Sequence, residues 1–180
     1  MAAPDLLTAD ELLALHLPDT RTELVRGRLI VREPAGFQHG VIAMALAGRM
    51  DAFVRANALG IVVAAETGFK LSSNPDTVRA PDVGFIRADR VPKPLPRNYP
   101  AMAPDLAVEV LSPDDRAAEV LEKVADWLGA GTRLVWVVDP DRRVARVYRA
   151  DGSESLVAAD GTLDGEEALP GFTYRLGDLP

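Results

Sequence analysis

The 180-residue chain contains no cysteine, which excludes a disulfide framework, a thiolate metal site and a cysteine nucleophile, and suits a reducing cytosol. Lysine is nearly absent too: Lys70, Lys93 and Lys123 are the only three, and arginine supplies the rest of the 20 basic residues. A single arginine therefore says little about function, and a single lysine says more. Two tryptophans and three tyrosines fall short of the aromatic platform expected of a two-carboxylate glycosidase. No apolar run approaches the roughly 18 residues of a membrane helix, and "MAAPDLLTADELLALHL" lacks the basic region and apolar core of a signal peptide. A soluble cytoplasmic protein is expected. Positive charge is also in deficit, since 27 acidic residues against 20 basic ones give a net charge of −7. That balance lacks the basic footprint usual in nucleic-acid binders.

The length is enough for one substantial core, so a single domain over residues 1–180 is expected. "TADE" at 8–11 is a capping box that opens a short amphipathic helix through about Leu17. "ELVRGRLIVRE" at 23–33 reads as a hairpin turning at Arg26 and Gly27. Ile42, Ala45, Leu46, Met50, Phe53 and Val54 recur at helical steps, predicting a long helix over 38–57 that stops before Gly60. Strands follow at 61–71 and 79–87, predicted to be antiparallel neighbours across the turn-rich "SSNPD". Residues 88–104, with five prolines, form a loop. "DLAVEVL" is a strand, and "SPDD" at 112–115 supplies an N-cap, a first-turn proline and acids for the helix after it. "RLVWVVD" at 133–139 is apolar throughout, as a buried parallel strand is, and "DPDRR" turns it into "VARVYR". The tail holds one or two edge strands. From residue 38 on the order is helix, strand, strand, strand, helix, strand: a mixed α/β fold with an N-terminal helix and hairpin and C-terminal edge strands.

Three charges stand where this pattern calls for apolar side chains. Glu109 alternates with Ala107 and Leu111 on one face of an apolar strand, where an unpaired carboxylate would cost several kcal/mol or be neutralised by protonation. A salt bridge to an arginine is one way to compensate it. Asp82 lies in the strand "APDVGFI", behind a proline that denies the ladder a donor there; an Asx-type turn cap is its simplest role. Two strand carboxylates on neighbouring strands would also suit a hard divalent cation, with the Val110 backbone carbonyl as a third protein ligand. Lys123 falls at the edge of the stripe formed by Ala117, Val120, Leu121, Val124 and Leu128, beside Trp127 and away from Glu122 and Asp126. It points partly inward, with a snorkelling surface lysine as the rival reading.

In the contexts "RAPDVGFI", "PDLAVEVLSP" and "EKVADWLGAGTRLVWVVDP", Asp82, Glu109 and Lys123 resemble the Uma2 (DUF820) group of restriction endonuclease-like proteins, within the PD-(D/E)XK nuclease superfamily. The resemblance covers about residues 20–175. It implies a core of helix, three strands, helix and strand, matching the order read from the residues. It also implies Mg²⁺- or Mn²⁺-dependent endonucleolytic hydrolysis of nucleic acid, DNA first. One departure from the superfamily pattern is Leu111, two residues after Glu109, where the motif has its lysine. In the Uma2 group that lysine moves to the following helix, where Lys123 stands. Similarity further points to Glu23 as an additional acidic site residue and to His39 near the site, although a histidine bonding locally at a helix start would look the same.

The resemblance thus assigns Glu23, Asp82, Glu109 and Lys123 to catalysis and Asp82, Glu109 and Val110 to the cation. Lys123 is expected to act in catalysis and not in folding, orienting the attacking water, stabilising the transition state or, if neutral, accepting a proton. Arg79, Arg87, Arg90, Lys93 and Arg97, around the proline-rich loop, are the expected phosphate contacts. A catalytically idle member acting as a nucleic-acid-binding or regulatory module is the alternative. The exposed edges of such a sheet point to a symmetric homodimer.

Overall fold

The computed structural model describes residues 6–15, 17, 18 and 20–180. The capping box at Thr8 forms in full, with Glu11 bonded back to the Thr8 amide, but the helix it opens, α1 (Ala9–Ala14), is shorter than expected. Strands β1 (Arg21–Val25) and β2 (Arg28–Arg32) make the hairpin. Arg26 and Gly27 carry φ of 49° and 75°, the turn type whose twist matches paired strands. A Cβ on Gly27 would lie 2.6 Å from Leu6, so glycine lets the N-terminal segment close over the hairpin tip.

Helix α2 (Phe37–Ala56) buries Ile42, Leu46, Met50 and Val54. Each such side chain contributes roughly 1.5–3 kcal/mol of burial. The two long predicted strands are each broken in two: β3 (Gly60–Ala64) with β4 (Phe69–Ser72), and β5 (Thr77–Arg79) with β6 (Val83–Arg87). β3 pairs with β6 and β4 with β5, so the expected antiparallel neighbours hold while the ribbon bends from one sheet into another. The bend has local causes. Glu66 sits at φ 69° on one arm, and on the other Pro81 offers no amide to the ladder.

β7 (Leu106–Val110) runs antiparallel to β6 and parallel to β8 (Leu134–Asp139), with α3 (Ala117–Gly129) as the crossover. β9 (Val144–Arg149) and β10 (Glu154–Val157) complete a six-stranded sheet in the order β10-β9-β8-β7-β6-β3. A four-stranded sheet has the order β2-β1-β5-β4, and β11 (Thr162–Asp164) pairs with β12 (Thr173–Arg175). Within the large sheet and its helices the chain order is α2-β3-β6-β7-α3-β8, the predicted helix, strand, strand, strand, helix, strand. The β4–β5 tip is an excursion into the second sheet.

The start of α3 differs from expectation. Ser112 does not cap it; the Asp115 carboxylate instead accepts from the Ser112 amide and hydroxyl at 2.8 and 2.9 Å, closing a separate turn. The helix begins at Ala117 with Arg116 as its N-cap residue. Its buried face is also rotated from the predicted stripe: Val124 and Trp127 are buried while Leu121 is 51% exposed.

Both faces of the large sheet are covered, which explains the continuous apolar runs. Leu106, Val108 and Val110 of β7, with Trp136 and Val138 of β8, pack on α2 and the C-terminal segment. Ala107 and, from β8, Val135 and Val137 pack against Val124 and Trp127 of α3. By alternation, Glu109 lies on the α3 face. A small third cluster, Ala9, Leu12, Leu24 and Val78, holds α1 to the second sheet.

Candidate active site

The bend of the ribbon brings Asp82 beside the middle of β7. Its amide donates to the Val108 carbonyl at 3.0 Å, and its Oδ2 accepts from the Val110 amide at 2.8 Å. The predicted adjacency of the two carboxylate-bearing strands is therefore observed. His39, in the first turn of α2, places Nε2 3.1 Å from the same Oδ2. This hydrogen bond chiefly raises the His39 pKa and favours its charged form. Burial pushes the Asp82 carboxyl up, but the His39 bond and the Lys123 charge outweigh it and hold the carboxyl below the usual range. Asp82 Oδ1 has a looser neighbour, Arg21 Nη2 at 3.6 Å.

Glu109 is engaged at both oxygens. Trp127 Nε1 donates to Oε1 at 2.8 Å and Lys123 Nζ donates to Oε2 at 2.8 Å. Desolvation dominates its chemistry and, with Asp82 adding repulsion, raises the carboxyl to about 7 despite the lysine. The salt bridge foreseen with an arginine is thus made by Lys123.

Lys123 also donates to the Ala80 carbonyl at 2.9 Å and lies 3.2 Å from Glu23 Oε1. Burial alone would lower its pKa, but Glu109, Glu23 and Asp82 together raise it, which favours the ammonium over the neutral amine that a proton-accepting role would need. With three contacts, two of them to buried carboxylates, it serves as a counter-ion within the fold, a structural role beside the catalytic one expected of it. Glu23, in the middle of β1, accepts from the Ala80 amide at 2.9 Å and from Arg79 Nη1 at 3.0 Å. Lys123 and Arg79 hold its pKa low against the desolvation that would raise it.

Glu23, Asp82, Glu109, Val110 and Lys123, with His39, line one open cleft of about 630 Å³, between the two sheets and the N-terminal ends of α2 and α3. None of the expected phosphate contacts Arg79, Arg87, Arg90, Lys93 and Arg97 lines it, and Arg87 pairs with Asp89 and Arg90 with Asp105 instead. Trp127 and Arg21 escaped sequence reasoning, and Arg79 was given a different role. Trp127 looked like core, and its indole N–H has no sequence signal. Arg79, expected among the phosphate contacts, is buried instead, with Nε and Nη2 on Asp126 at 2.9 and 2.7 Å and Nη1 on Glu23; Asp126, placed on the outer helix face, turns inward to meet it. Arg21 was one arginine among many.

The oxygen-only donor set fits a hard divalent cation. Among the described residues Asp82 Oδ1 accepts no hydrogen bond, and Val110 borders the same cleft. Among the described residues no group of three or more histidine, cysteine or carboxylate side chains forms a metal cluster. Asp82 and Glu109 are a pair, and a third protein ligand would have to come from the backbone.

A helix, three strands, helix and strand with two carboxylates and a lysine meeting at the sheet's crease define a restriction endonuclease-like protein. The family model of Uma2, described as "Putative restriction endonuclease", matches residues 9–177, and the chain belongs to that family. A solved structure of a DUF820 protein from Anabaena variabilis, titled a putative nuclease, superposes with a TM-score of 0.84 at 23% identity, covering 96% of this chain and 97% of that one. At that identity the likeness establishes the fold. No curated protein matches the chain. Among the described residues no helix is long and apolar enough to cross a membrane.

Proposed function

We propose that the protein is a Mg²⁺-dependent endonuclease that hydrolyses phosphodiester bonds of nucleic acid, with DNA as the first substrate to test. The observation that carries this reading is the reach of Lys123 from α3 to Glu109 at 2.8 Å, which puts an ammonium beside the strand carboxylate although Leu111 occupies the motif's usual lysine position. Asp82, Glu109 and the Val110 carbonyl would hold the cation, which when bound supplies a Lewis acid for the phosphate and acidifies a water. His39 and the Val110 amide fix one Asp82 oxygen and leave the other facing outward. Trp127 fixes Oε1 of Glu109, and Lys123 holds Oε2. Lys123, kept charged by Glu109 and Glu23, is aimed to stabilise charge growing on the phosphoryl oxygens. Glu23 steers Lys123 and is itself held by Arg79.

A symmetric dimer is part of the proposal. Phe37, Val41 and Met44 are 91%, 36% and 67% exposed along one side of α2, an apolar stripe that a second copy would cover.

The reading is tested by plasmid nicking and calorimetry. Wild-type protein should nick in Mg²⁺ or Mn²⁺ and not in EDTA, Glu109→Ala should be inert, and Mn²⁺ binding should vanish in Asp82→Ala. Unchanged Mn²⁺ binding in Asp82→Ala removes the cation assignment. A wild type that binds DNA and never cuts it supports the idle-module alternative.

A further inference from the structure

The cleft contains two cations that the proposed reaction leaves without a task. Arg21 opens β1 and Arg32 closes β2, and the hairpin register makes them Cα partners. Both border the cleft. Like charges directly opposite one another on antiparallel strands destabilise the pair, so this placement needs compensation. Each arginine is parked on an acid: Arg21 Nη2 lies 3.6 Å from Asp82 Oδ1, and Arg32 lies 3.1 Å from Glu119 and 4.0 Å from Asp115. Neither is sequestered, since the two side chains are 26% and 39% exposed, whereas Arg79 is locked between Glu23 and Asp126. The Arg21 contact is an ion pair too long for a hydrogen bond. It falls on the one Asp82 oxygen that His39 and Val110 leave free, through which Asp82 can meet a cation.

We propose that Arg21 and Arg32 form a phosphate-binding subsite beside the cation site, and that Arg21 rests on Asp82 as a placeholder until a divalent cation displaces it. This rests on the nuclease reading above. A divalent ion on Oδ1 repels the guanidinium, which then turns into the cleft, where its planar fork matches two oxygens of a phosphodiester. Arg32 needs only to leave a half-exposed ion pair of small worth. Phosphate binding favours the displaced position of Arg21 and thereby favours the cation, so the two ligands bind cooperatively.

The test is Mn²⁺ calorimetry on the full chain together with anisotropy of a labelled, cleavage-resistant phosphorothioate DNA duplex in Mn²⁺. Arg21→Gln removes a competing charge a few ångströms from the ion and should tighten Mn²⁺ binding about tenfold while weakening DNA binding. Arg21→Lys keeps the charge but not the fork, so Mn²⁺ affinity should stay at the wild-type level while DNA binding remains weak. Arg32→Gln should weaken DNA binding and leave Mn²⁺ affinity unchanged. If Arg21→Gln binds Mn²⁺ no more tightly than wild type, while Asp82→Ala abolishes binding, the placeholder is refuted and the cation site stands. If neither arginine variant weakens DNA binding, the subsite is refuted. A wild type that binds no Mn²⁺ overturns the nuclease reading and this inference with it.

Discussion

Replacing Lys123 by methionine keeps the packing stem and deletes the ammonium, and the contacts around it give the consequence a size. Glu23 keeps Arg79 and the Ala80 amide, but Glu109 is left with the Trp127 indole as its only donor. Stripping one partner from a buried ion pair costs about 3–5 kcal/mol while the remaining group stays charged. Glu109 can escape that cost by binding a proton. Its folded carboxyl already titrates near 7 in the intact protein, above the roughly 4.3 of an unfolded chain. A raised acid contributes stability that is fully present below the unfolded value and is lost as pH rises through the folded one. Without Lys123 the folded value rises further, so the same loss deepens and extends to higher pH. In metal-free protein, urea unfolding should show Lys123→Met destabilised by about 3 kcal/mol near pH 8.5 and by only about 1 kcal/mol near pH 5. Adding Glu109→Gln to the variant should restore most of the difference at high pH, because the amide oxygen still accepts from Trp127. Nicking activity should fall by about 100-fold or more. A penalty below about 1 kcal/mol at both pH values would mean that Lys123 is a solvated surface lysine, and the reasoning would fail.

Trp127→Phe keeps an aromatic ring in the core but leaves Glu109 Oε1 without a donor, at about 1–3 kcal/mol; the melting temperature should drop by roughly 2–4 °C per kcal/mol, and an unchanged melt would show that the indole bond does not form. Asp76 accepts from the Ala9 amide at 2.8 Å and pairs with Lys70 at 2.8 Å, and these bonds, that to Lys70 first, hold its pKa low. Its stabilising contribution is therefore complete above the unfolded value and is lost as pH falls through the lower folded one. Asp76→Asn should speed hydrogen exchange in residues 9–14 about tenfold while β7 and β8 stay protected; equal protection of α1 in both proteins would refute the tether. Light scattering should give about twice the 19.3 kDa chain mass, falling to one chain in Met44→Glu; a wild-type monomer at micromolar concentration rules the dimer out.

Much of the fold was legible because its elements obey simple periods. The α2 stripe, the apolar runs of β7 and β8 and the Arg26–Gly27 turn each follow from local sequence. The bend that divides the 61–71 and 79–87 runs was not legible, because a strand's period of two is the same whichever sheet receives it, and only tertiary packing chooses. The start of α3 misled for a related reason. Ser112 and Asp115 have capping chemistry, but they satisfy each other in a turn of their own. Asp82, Glu109 and Lys123 could be picked out because charge within apolar patterning needs a partner, while Glu23 came only from the family resemblance. Trp127, Arg21 and the buried role of Arg79 could not, since an indole N–H in a core and one arginine among many carry no such conflict.

The five residues Leu111–Asp115 with Arg116 behind them set different length tolerances along the chain. That segment is a surface turn, while α3 beyond it is anchored by Val124 and Trp127. An extra residue in the turn can be absorbed as a longer loop without moving the helix. The same insertion between Trp127 and Lys123 would carry the ammonium about 100° around the helix axis, out of reach of Glu109. Relatives that share this arrangement should therefore vary in the distance from the strand glutamate to the helix and hold the lysine-to-tryptophan step fixed, so a search pattern written around the interval from 123 to 127 will find members that one written around the interval from 109 to 111 passes over.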